Sequence, residues 1–122
     1  MHDVQPLVVA VDGLADRFRA LPQSKLLGAV PGHASRAAAV LALARRLAAL
    51  ALAAEGGPER EFPDAGAFAA GDQLAVAGHD LAAALAALPE GAEVALPDGP
   101  VAVGELLAGA VAAVRETAGL CA

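Results

Sequence analysis

Residues 37–54 read AAAVLALARRLAALALAA, and the interpretation of this stretch decides the fold. It is apolar for long enough to raise the question of a membrane span, yet Arg45 and Arg46 stand at its middle. Each arginine costs about 2.5–3.5 kcal/mol at a bilayer centre on insertion scales. The stretch also barely reaches the shortest spanning length of about 17 residues. It therefore reads as a buried helix of a protein in water. Val40, Leu43, Leu47, Leu50 and Ala54 form one seam, and Leu41 and Leu52 open a second apolar edge about 100° away. Two edges predict a helix flanked on two sides, hence a central one. It is expected to run from about His33 to Glu55, where Gly56-Gly57-Pro58 stops it.

Upstream, Val4, Leu7, Val8, Val11, Leu14, Ala15, Phe18 and Leu21 recur at spacings of three and four and predict a helix over about 5–21. Pro6 suits its first turn and Pro22 ends it. Ser24 is placed to cap a short turn before Pro31-Gly32 breaks the chain. Downstream, Leu74, Leu81, Leu85 and Leu88 mark a third helix from about Gly71 or Asp72 to Leu88. The period then changes. Residues 93–103 read EVALPDGPVAV, two short strands around a turn in which Pro97 pre-sets the first corner and Gly99 is free to take positive φ. A last helix, from about Gly104 to Ala118, is expected to bury Val103, Leu107, Ala110, Val111 and Val114 before Gly119 ends it. The expectation is a mainly α, single domain over 1–122: a four-helix bundle with a small β-hairpin between the third and fourth helices.

Composition restricts the chemistry. Alanine supplies 35 of the 122 residues, there is no Trp, Tyr or Asn, and Ser24, Ser35 and Thr117 are the only hydroxyl side chains. The formal net charge of −6 lacks the basic footprint of a phosphate-backbone binder and suits an anionic membrane poorly, so neither nucleic acid nor membrane is expected as a partner. The single cysteine, Cys121, allows no internal disulfide and fits a reducing cytoplasm, where it is expected as a frayed terminal thiol. The start, with His2, Asp3 and an early Pro6, shows no basic leader region, and no signal peptide is expected. The alanine bias points to a GC-rich bacterial genome.

Known catalytic patterns are missing. No Gly-x-Ser-x-Gly elbow, no Gly-Lys-Ser/Thr phosphate loop, no His-Glu-x-x-His and no Glu-x-x-His pair occurs. No metal or cofactor is expected. What stands out is a strip of the third helix. Asp72 and His79 lie seven apart on one face, turned about 140–160° from the leucine stripe, with Asp80 beside them. A histidine near carboxylates titrates around neutral pH and can serve as acid, base, ligand or phosphoacceptor. The alternative is a helix-start carboxylate and a solvated His-Asp pair. Phe62 and Phe68 fall in the long connection over 56–71 that leads to this strip; such loops are often functional, while the plain reading is that both rings fill gaps in a small-residue bundle. His33 and Arg36, at the start of the second helix, are a possible anion site, or Arg36 is an arginine whose stem lies along the first turn.

The string Gly78-His79-Asp80-Leu81 resembles part of the H-box of histidine-kinase dimerisation and phosphotransfer domains, in which a helical His precedes an acidic residue and Leu. The resemblance covers four residues. Ala82–Ala84 stand where that family carries a basic residue and a proline. On balance the sequence predicts a non-catalytic protein-interaction or structural bundle of a bacterial cytosol, acting through a protein partner or as a homodimer. The alternative is phosphotransfer or small-ligand binding through His79 with Asp80 and Asp72.

Overall fold

The computed structural model describes residues 2–58 and 60–122, so Glu59 of the long connection lies outside the described residues. The protein is mainly helical, with α1 (Gln5–Arg19), a single-turn α2 (Gln23–Leu26), α3 (Arg36–Glu55), α4 (Ala70–Ala86) and α5 (Val103–Leu120). A two-stranded antiparallel hairpin, β1 (Glu93–Leu96) and β2 (Gly99–Ala102), stands between α4 and α5. The expected four long helices and hairpin are all present. The hairpin register pairs Leu96 with Gly99, leaving Pro97 and Asp98 as its loop, and Gly99 takes φ +120°.

Helix ends follow local chemistry. The Ser35 hydroxyl accepts from the Ala38 amide at 3.0 Å and fixes the start of α3 at Arg36, not at His33. His33 instead pairs its backbone with Val30 across the Pro31-Gly32 turn. Gly56 closes α3 in the left-handed region at φ +71°. α5 continues past Gly119 to Leu120, and Cys121 is not frayed: its side chain is buried and its carbonyl accepts from Arg36 Nε at 3.2 Å. α5 buries Val103, Ala110, Val111 and Val114 as expected and adds Leu106 and Ala113, while Leu107 is half-buried at the edge of the core. Leu88 lies beyond the end of α4 and is only half-buried.

Contacts between named residues give the helix directions. Arg19 pairs with Asp72 and Asp12 with His79, so α1 and α4 are antiparallel. Arg45 and Gln73 grip the neighbouring residues Phe62 and Pro63, which sets the middle of α3 level with the first half of α4. The last turns of α3 then meet Val76–Asp80 and the hairpin that follows α4. α3 and α4 are therefore parallel. Arg17 reaches Ala118 and Arg36 reaches Cys121, which brings the end of α5 to the end of α1 and the start of α3.

Parallel neighbours cannot be joined by a tight turn, and this explains the long connection. Residues 56–66 must travel back along the bundle before a 3₁₀ turn, Ala67–Ala69, leads into α4. Extended, they reach about 36 Å, enough to retrace the roughly 30 Å of a 20-residue helix.

The buried residues form one continuous apolar core, with Leu7, Val11, Val40, Leu47, Leu74, Leu81 and Leu85 fully enclosed. No polar or charged residue is buried among the described residues. The central helix is α4, which packs broadly against both α1 and α3. α3 is long and apolar enough, by length and composition, to cross a membrane, yet only 44% of its apolar window is buried in the fold. α3 packs on α4, α5 and β1, and Ala42, Arg45, Arg46 and Ala49 stay exposed along its outer side.

Candidate functional site

Two regions flank α4, and they divide the residues singled out in the sequence. On the α1 side, Gly71 and Gly78 let the helices close together. A Cβ on Gly78 would lie 2.5 Å from Val11 Cγ1, and one on Gly71 would lie 3.1 Å from the Ala15 carbonyl oxygen. Charged side chains bridge the two helices along the outer edge of this seam. Arg19 donates from Nε to Asp72 and from Nη1 to Asp16, each at 2.7 Å. His79 Nε2 donates to the Asp12 carboxylate at 2.7 Å. The hydrogen bond to Asp72 raises the Arg19 guanidinium further above its already high range. All these side chains are substantially exposed.

Asp72 and His79 thus face α1, and each has a partner there. Asp80 turns to the opposite flank of α4, about 100° round the wheel from His79. There it lines a groove of about 710 Å³ between α3, α4, the returning connection and the hairpin loop. The three residues of the proposed phosphotransfer set do not converge on one point.

The groove has an alkyl floor. Ala48, Ala49 and Leu52 come from α3, Val76 and Ala77 from α4, and Leu96 and Pro97 from the hairpin. Val76 is 60% exposed, a large apolar side chain left in solvent at the groove margin. Charges of both signs edge the floor: Arg45 and Arg60 against Glu55, Glu61 and Asp80. Arg45, conspicuous in the sequence as a charge inside an apolar run, donates from Nε to the Phe62 carbonyl at 3.1 Å. Gln73 donates to the Pro63 carbonyl at 2.8 Å, while its Oε1 is enclosed and has no partner among the described residues. These two bonds and the half-buried Phe62 ring hold the returning connection against the bundle as a strap.

The two loop phenylalanines differ. Phe62 packs on the core and lines the groove, as a gap-filling ring would. Phe68 is 71% exposed, because the 3₁₀ turn carries it outward at the far end of the bundle. The sequence signals neither that separation nor the groove, whose residues come from three separate stretches of the chain: α3 with the connection that follows it, α4 and the hairpin. The one available signal was Arg45 itself, a mid-helix charge without a nearby partner on its own helix.

The possible anion site is differently arranged. Arg36 lies back along the chain and donates to the carbonyls of Lys25 and Cys121, each at 3.2 Å. Ser35 already caps the amide end of α3, and His33 pairs through its backbone with Val30. Arg36 acts here as a clamp tying α2, α3 and the end of α5. Burial pushes the Cys121 thiol up, and the nearby Arg17 and Arg36 charges offset this only in part. Among the described residues, no three His, Cys, Asp or Glu side chains gather where they could hold a metal ion. Comparison with known protein families, curated proteins and solved structures returns no match for this chain.

Proposed function

We propose that this chain is a non-catalytic helical module of a bacterial cytoplasm that works by protein association, self-association included. The observation that carries this reading is the groove: a wide alkyl floor edged by charges of both signs, with Val76 open to solvent at its margin. An apolar centre within a polar rim is the anatomy of a protein interface. The polar side chains best suited to chemistry point the same way, since Asp72, His79 and Arg36 are engaged with other parts of the fold. The test is the solution mass across a wide concentration range. Association predicts a mass above the 11.9 kDa of one chain that rises with concentration. A single-chain mass throughout counts against self-association.

The groove volume also favours a second reading, binding of a small apolar ligand, since it falls within the roughly 300–1,000 Å³ of small-molecule sites. Asp80 is the polar residue placed to orient such a ligand. An environment-sensitive naphthalene sulfonate dye tests this: its fluorescence is expected to rise with the wild type and to fall with Val76→Asp. No enhancement with the folded wild type removes the reading.

A further inference from the structure

Resting on the association reading, we propose that the groove face of α3 seats a second copy of this chain, the two α3 helices crossing antiparallel about a twofold axis beside Ala49.

The first ground is incomplete burial. α3 has the composition of a helix enclosed on all sides, which the fold does not provide. Ala42, Arg45 and Ala49 are exposed, and Ala48 and Leu52 are half-exposed. These positions fall at spacings of three and four, and all but Ala42 line the groove. The methyl side chains of Ala42, Ala48 and Ala49 are short enough for another helix to approach to about 8 Å.

The second ground is charge. The chain as a whole carries −6, so most faces of two copies repel each other. The groove face is nearly balanced, with Arg45 and Arg60 against Glu55, Glu61 and Asp80. A patch that carries both signs can be complementary to itself under a twofold rotation. A strongly acidic or basic partner would leave one of the two signs opposed. The spacing along the axis also fits. Arg45 and Glu55 both line the groove, ten residues apart on α3 and about 80° apart around it. An antiparallel crossing centred between them, at about residue 50, brings Arg45 of each copy level with Glu55 of the other. Arg45 uses only Nε on Phe62, which leaves its Nη groups to meet that carboxylate.

The experiment is analytical ultracentrifugation of the full chain. The wild type is expected to sediment as a monomer–dimer mixture whose dissociation constant rises several-fold between low and high salt. Ala49→Glu, an exposed position where the fold accepts a longer side chain, is expected to weaken the dimer at least tenfold with an unchanged helical circular dichroism spectrum. Glu55→Arg is expected to weaken it in the same sense. In a Cys121→Ala background, Ala49→Cys is expected to give a disulfide-linked dimer on mild oxidation. A dimer of undiminished affinity in Ala49→Glu, without the Ala49→Cys crosslink, overturns this face while self-association stands. A monomer at every concentration overturns both.

Discussion

Toward α1, α4 presents Gly71 and Gly78, and Val11 of α1 fills the space a side chain would occupy. Toward α3, it presents Ala77 and Asp80, and a groove of about 710 Å³ remains open beside them. One flank is closed by backbone approach and then bridged by the Arg19–Asp72 and His79–Asp12 contacts. The other is built from alanine and leucine that meet α3 without covering it, and a strap completes it. The contrast separates two uses of small residues. Glycine set opposite a β-branched side chain makes a unique fit, since valine has few rotamers with which to yield. Alanine spread over a helix gives close approach without specifying what approaches.

The largest effect is expected where both flanks depend on one side chain. Leu81 is fully buried on α4, on the side between the two neighbours. Leu81→Ala is expected to cost about 2–5 kcal/mol in urea unfolding and to weaken both regions together. Next comes the seam alone. Gly78→Ala puts a methyl group into Val11, an overpacking that costs roughly 1–3 kcal/mol, and Val11→Ala in the same chain is expected to recover part of it. Gly13→Ala, at a helical glycine with nothing near its Cβ position, is expected to stabilise by up to about 1 kcal/mol. If Gly78→Ala is as harmless as Gly13→Ala, the close fit of the seam is refuted.

A smaller effect sharpens the other flank. Arg45→Met removes the bond to Phe62 but keeps an alkyl stem on α3. The expected loss in global stability is about 1 kcal/mol. Hydrogen exchange over residues 60–66 is expected to accelerate far more than exchange in the α1–α4 seam, because the strap opens locally. The smallest effect is in pH. Burial raises the Cys121 thiol, so the folded chain keeps this proton where the unfolded chain releases it. The stabilisation is complete below the ordinary thiol value of about 8.5 and is lost as pH rises through the folded value. Denaturation midpoints at pH 7 and pH 10 are expected to differ more for the wild type than for Cys121→Ala.

Much of the fold was legible because helix and hairpin signals are local. The three-four spacing of Leu7, Val11, Leu14 and Phe18 reports a buried face wherever its partner comes from. The Pro97-Asp98-Gly99 turn carries its own geometry. Helix direction was not legible, because no residue of α3 or α4 records whether its neighbour is parallel. The apolar composition of α3 predicts a central position that α4 takes instead, because composition does not say how much of a helix is covered. Asp72 and His79 stand out as a polar strip, but their partners Arg19 and Asp12 lie more than fifty residues away. Asp80 and Phe62 do share a site, and only the folded chain brings them together.

The returning connection has a consequence for how the chain finds this structure. Antiparallel neighbours joined by a short turn can zip together from the turn outward. α3 and α4 cannot, since their starts come together only after some thirty residues of intervening chain have been laid down. The search for that pairing is closer in kind to the assembly of a parallel sheet than of a simple helical hairpin. Folding slower than local helical contacts alone would set is expected, with the α3–α4 pairing late and the strap settling last.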